Sequence, residues 1–155
     1  MEETKKKARY ERLYKQLSGL LTKSDDATAQ MATISAVLYH KMDYFFWCGF
    51  YKTDTENLVV VTYQGPVACQ LLPKPNGVCW AAVNENKTLV ISDVHSFPGH
   101  IACDSRSKSE IVVPVRNSKG NPVAVLDIDS KFLNSFDETD KYFLEKIVEL
   151  IKVQG

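Results

Sequence analysis

The chain has 155 residues, 45% of them apolar and 25% charged, and its 19 basic and 19 acidic side chains cancel to a net charge of zero. Those values describe one soluble globular domain over residues 1–155, and they give no electrostatic case for nucleic acid or a membrane surface as partner. No apolar run approaches the roughly 20 residues that cross a bilayer, and the N-terminus carries no secretory signal pattern, so the expected compartment is the cytoplasm.

Thr4 to about Thr22 places Tyr10, Leu13, Tyr14, Leu17, Leu20 and Leu21 at helical spacing between Lys, Arg and Glu, which predicts an amphipathic helix. Lys5-Lys6-Lys7 reads as its solvated face. Ser24 with Asp25 and Asp26 supplies an N-cap and an acidic first turn for a second helix. Its apolar face is Ala27, Met31, Ile34, Val37 and Leu38, and it ends near Lys41. The aromatic run Tyr44 to Tyr51 and the run Leu58 to Tyr63 flank the turn Asp54 to Asn57, which predicts a β-hairpin. Val67 to Leu72 reads as a third strand carrying Cys69, and Lys74 to Gly77 as a turn. Val78 to Asn86 reads as a short helix with Cys79 near its start, and Thr88 to Ile91 as a strand. Glu110 to Arg116 and Pro122 to Asp129, joined by Asn117 to Asn121, form a last hairpin. Asp137 caps a final helix with the face Phe143, Leu144, Ile147, Leu150 and Ile151. The sum is an α+β domain: a mainly antiparallel sheet of about six strands with the N-terminal helices and the C-terminal helix packed on one face.

The chemistry-bearing side chains concentrate in and around the long polar segment Asp93 to Glu110, which holds two of the three histidines and Cys103. A connection of that length inside a small domain is a place for function. In a reducing compartment, cysteines serve packing, metal binding or redox chemistry rather than permanent disulfides. Cys103, between His100 and Asp104 in an accessible loop, reads as a reactive thiol. Cys79 sits where a helix dipole would favour its thiolate. Cys69 in an apolar strand reads as core, and Cys48, between Trp47 and Gly49, as packing.

Cys69, Cys79, His95, His100 and Cys103 are zinc-ligand types, but no two form a close Cys-x2-Cys pair, so no metal is expected. No nucleophile elbow supports a hydrolase. Asp127 and Asp129 share one face of their strand, either as an inert solvated pair or, with Glu110 at the start of the partner strand, as a crowded pocket. Three carboxyls in a partly buried pocket cannot all ionise cheaply, and one held protonated is a proton donor. Trp47, Phe50 and Tyr51 read as core, or as the wall of a pocket for a small apolar group.

Together, Val-Ala-Cys69, Gly-Val-Cys79, Asp93-Val-His-Ser-Phe-Pro-Gly-His-Ile-Ala-Cys103-Asp, Ser-Glu110-Ile-Val-Val-Pro and Leu-Asp127-Ile-Asp129-Ser resemble the free methionine-R-sulfoxide reductases, which are stand-alone GAF domains. The resemblance covers roughly Trp47 to Ser130, with departures at Trp80, where a glycine is expected, and Pro66, where a lysine is common. It implies that Cys103 is the catalytic cysteine, oxidised to a sulfenic acid, and that Cys69 resolves it to a disulfide. Cys79 matches a third cysteine with a resolving, catalytic or auxiliary role. Glu110, Asp127 and Asp129 match carboxylates that bind and polarise the substrate, and Trp47 and Tyr51 match aromatics that hold its methyl end. The implied partners are free methionine sulfoxide and thioredoxin as external reductant, with no bound cofactor and with room for a homodimer. The alternative is a non-catalytic GAF module that senses a small ligand or redox state.

Overall fold

The computed structural model describes residues 1–101 and 103–153. Helix α1 (Glu3–Leu20) runs into a short 3-10 turn at Leu21–Lys23, and α2 (Ala27–Lys41) follows. Asp26 is the cap of α2: its side chain accepts from the Ala29 N–H at 2.9 Å, while Ser24 Oγ accepts from the Asp26 N–H at 3.0 Å. The strands are β1 (Trp47–Thr53), β2 (Asn57–Gln64), β3 (Leu71–Pro73), β4 (Leu89–Ile91), β5 (Ser109–Arg116) and β6 (Pro122–Ser130). Helix α3 (Val78–Glu85) lies between β3 and β4, and α4 (Glu138–Val148) follows β6 behind an Asp137/Asp140 capping box. Among the described residues these six strands form one antiparallel sheet in the order β3-β2-β1-β6-β5-β4.

The period-2 alternation of the central strands sorts their side chains between two cores. Cys48 and Phe50 of β1, Ile111, Val113 and Val115 of β5, and Ala124, Leu126 and Ile128 of β6 join the side chains of α1, α2 and α4 on one face. Trp47 and Tyr51, Val112 and Val125 point the other way, against Val78, Cys79, Trp80 and Ala82 of α3. The three long helices therefore cover one face, as the sequence predicts, and leave the other to α3 and the loops.

Three local expectations change. Lys6 is 4% exposed rather than solvated. Its ammonium bridges Asp140 at 2.8 Å and Asp137 at 3.2 Å, which fastens α1 to the capped start of α4. The first strand begins at Trp47 instead of Tyr44, because Tyr44 donates its hydroxyl to the same buried Asp140 and the Phe45 N–H turns back to the Met42 carbonyl. The third strand is only Leu71–Pro73, so Cys69 lies in irregular chain and not in a strand. The apolar residues that suggested a strand do not form a buried face: Val67 is 85% exposed.

Candidate active site

Strand register builds the floor of a pocket on the α3 side. Asp129 is paired across β6 with Trp47 of β1 and Glu110 of β5, and Asp127 with Gly49 and Val112. Because opposite residues in a sheet share a face, the three carboxyls and the Trp47 indole converge. The convergence depends on Gly49, where a Cβ would stand 2.7 Å from the indole and 2.4 Å from the Tyr63 Cβ. The indole stacks between Tyr63 and Tyr51, with centroids 5.3 and 5.8 Å away. Phe50, the third aromatic of the run, points into the opposite core and takes no part in the pocket.

The cavity above this floor has a volume of about 50 Å³ and is lined by Trp47, Tyr51, Cys79, Cys103, Glu110, Asp127 and Asp129 together with Asn76, His100 and Ile101. Cys103 is joined to Cys69 by a disulfide, with Cα atoms 5.6 Å apart. The aromatic wall holds the chain that carries Cys69: the Tyr51 hydroxyl donates to the Cys69 carbonyl at 2.9 Å, and the Trp47 Nε1–H to the Pro66 carbonyl at 3.1 Å. Pro66 contributes only a backbone oxygen, which any residue supplies. Trp80 is a buried residue of α3, and its Nε1–H donates to the Leu72 carbonyl of β3 at 2.6 Å.

The segment before Glu110 is tied at its base, where the Val94 N–H donates to the Lys108 carbonyl and the Lys108 N–H to the Ser130 carbonyl, both at 2.8 Å. Asp93 accepts from the His95 N–H at 3.0 Å and caps a 3-10 turn at Val94–Ser96. Arg106 holds Asp104 through its backbone N–H, Nε and Nη2 at 2.8–3.0 Å and lies 4.9 Å over the Phe46 ring. Those hydrogen bonds push the Asp104 carboxyl down to about 2. His100 lines the pocket with its ring 6.4 Å from that of His95, and burial lowers its pKa.

Electrostatics at the floor run opposite to those of Asp104. Burial first, then the neighbouring charges of Asp127 and Asp129, pushes the Glu110 carboxyl well above its ordinary value. Asp129 is raised by burial and by Asp127, and Asp127 by burial. Crowding thus keeps a proton on this group of carboxyls. Among the described residues, Asp127 Oδ1 is buried without a hydrogen-bond partner. The Cys79 thiol is also pushed well up by burial and by Asp127 and Glu110, which reverses the thiolate expected at a helix start. The dipole of a short helix does not offset two carboxyls in a dry site. Cys48 is buried in the opposite core, as expected of a packing residue.

The structure therefore brings Trp47, Tyr51, Cys69, Cys79, Cys103, Glu110, Asp127 and Asp129 to one place. Sequence reasoning passed over Asn76, Ser107 and Ile101, which also line the cavity and come from turns and coil with no periodic signal. Nor does cysteine and histidine spacing reveal the approach of Cys79, Glu110 and Asp127, whose donor atoms all lie within 4.8 Å of one another.

A sequence model of the GAF domain family matches residues 24–153. GAF domain-containing protein A of Dictyostelium discoideum is 49% identical over 147 residues, 94% of this chain and 92% of that protein. The free methionine-R-sulfoxide reductase of Escherichia coli is 39% identical over 139 residues, 90% and 84% of the two chains. The crystal structure of free methionine-R-sulfoxide reductase from Neisseria meningitidis in complex with its substrate superimposes with a TM-score of 0.90 at 40% identity, covering 95% of this chain and 88% of that one. With the pocket, the disulfide and these relatives in agreement, the chain belongs to the GAF-domain free methionine-R-sulfoxide reductase family.

Proposed function

We propose that the protein reduces the R-sulfoxide of free methionine to methionine, with Cys103 as nucleophile, Cys69 as resolving thiol and an external dithiol of the thioredoxin type as reductant. The observation that carries this reading is the Cys69–Cys103 disulfide at a pocket floored by three carboxyls with raised pKa values. In the reduced enzyme the Cys103 sulfur attacks the sulfoxide sulfur while a carboxyl of the Glu110, Asp127 and Asp129 group gives its proton to the sulfoxide oxygen. The oxygen ends on Cys103 as a sulfenic acid, and the substrate leaves as methionine with two electrons gained. The Cys69 thiol then displaces that oxygen as water and forms the disulfide, and a dithiol restores both thiols by exchange.

Selectivity for the free amino acid follows from charge. No lysine or arginine lines the cavity among the described residues, whereas unpaired Asp127 Oδ1 suits the substrate ammonium. Backbone N–H groups of the 93–110 loop take the carboxylate. Methionine within a polypeptide has neither charge. Trp47 and Tyr51 take the methyl end. No helix of the described residues is long and apolar enough to cross a membrane, and the reaction needs a compartment that supplies dithiol, so we place it in the cytoplasm.

Turnover of R and S free methionine sulfoxide with thioredoxin and its reductase tests the proposal. Reductant consumption with the R form alone is expected, and none with the R form would overturn it in favour of a sensor. Cys103→Ser is expected to lose activity by at least ~10³-fold. Cys69→Ser is expected to release one methionine per protein and then stall, and unimpaired recycling would move the resolving role to Cys79.

A further inference from the structure

Cys79, Glu110 and Asp127 are 4%, 6% and 6% exposed, and their sulfur and carboxylate oxygens lie within 4.8 Å of one another. They come from α3 and from β5 and β6 of the sheet face it packs against, so their separation is held by the fold. Two facts beyond the clustering point to a cationic ligand. Among the described residues, Asp127 Oδ1 is buried and has no hydrogen-bond partner, and no lysine or arginine lines the cavity. Asp129, opposite Glu110 in the sheet, adds further negative charge.

We propose that Cys79, Glu110 and Asp127 bind a thiophilic divalent cation of the zinc or cadmium class at the floor of the pocket. One sulfur and two carboxylate donors suit zinc, whose sites mix those ligand types, whereas magnesium and calcium sites are built from oxygen. Metal–ligand bonds of about 2.0–2.3 Å place tetrahedral donors about 3.5 Å apart, within reach of small side-chain rotations from the present spacing. Coordination transfers the Cys79 proton, and that of any protonated carboxyl, to solvent, and the thiolate and carboxylates become ligands. The fourth position faces the cavity and takes water. Resting on the function proposed above, a cation there excludes the substrate ammonium from Asp127 and blocks the reductase.

The disulfide makes the site testable by itself. In the oxidised protein Cys69 and Cys103 are engaged, and Cys48 is fully buried in the core on the far face of the sheet. Any thiolate-to-metal charge-transfer band on adding cadmium must then come from Cys79. Ultraviolet titration of the oxidised protein with Cd²⁺ is expected to give a band saturating at one ion per chain. The band should be lost in Cys79→Ser and kept in Cys48→Ala. Asp127→Asn and Glu110→Gln, which retain the thiol, are each expected to weaken binding at least ~10-fold, with folding checked by circular dichroism. No band, a band surviving Cys79→Ser, or unchanged affinity in both carboxyl variants would overturn the proposal. This readout needs no turnover, so failure of the reductase assay and failure of the metal site are separable.

Discussion

Burial of Glu110 beside Asp127 and Asp129 links its chemistry to the stability of the fold. In the unfolded chain the carboxyl ionises near its ordinary value of 4.5, whereas in the folded pocket it keeps its proton to higher pH. Across that window the native state binds more protons than the unfolded one, so the contribution of Glu110 to stability is fullest below 4.5 and falls as pH rises through the folded value. Glu110→Gln removes the titration and keeps the shape. Thermal melts from pH 5 to 8 should show this variant melting above the parent by an amount that widens with pH. The expected gap is a few degrees, what about 1 kcal/mol brings in a chain of this size. The same variant is expected to lose most of its kcat/KM, because an amide cannot donate the proton that a carboxyl does. A parent kcat/KM that did not fall on the alkaline side would remove Glu110 from the donor role. A carboxyl proposed as proton donor is thus one the fold would be more stable without.

At the level of elements, the site is a product of register. The β5–β6 hairpin and its two aspartates are legible in the sequence because period-2 alternation fixes which side chains share a face, and Glu110 follows by pairing. Both capped helices are legible for the same local reasons. Cys69 is not, because apolar residues in coil that covers a pocket look like a strand when only composition is visible. The buried Lys6 is not legible either, since its partner Asp140 lies 134 residues away. Nor does proximity to a helix start reveal that Cys79 faces two carboxyls. Gly49 is the element-scale detail with the clearest consequence, since any side chain there must displace the Trp47 indole or separate β1 from β2. Gly49→Ala is expected to cost about 1–3 kcal/mol, as overpacking does, and to raise KM more than it lowers kcat. Denaturant melts and steady-state kinetics check the two parts, and a stable variant with unchanged KM would mean that the indole is not the methyl wall.

For the whole molecule, the Cys69–Cys103 bond closes a span of 34 residues that includes β3, α3, β4 and the first part of the 93–110 loop, up to Cys103. In the chain-entropy account a closure of that length stabilises by about 4 kcal/mol. Calorimetry with and without a dithiol should therefore show the reduced form melting lower by on the order of 10 °C. An unchanged midpoint would mean that strain in the bonded state offsets the closure. The cycle proposed above thus alternates between a more stable oxidised form and a less stable reduced one. The two cysteines outside the bond, Cys48 and Cys79, are both buried, one under each face of the sheet. A bulky aromatic disulfide such as Ellman's reagent has no room in a cavity of about 50 Å³. The native oxidised protein should therefore score no reactive thiol, and the denatured oxidised protein two. Colour released by the native protein then counts only the molecules that have been reduced, so the fold carries its own stoichiometric gauge of redox state, readable without a label or a substrate.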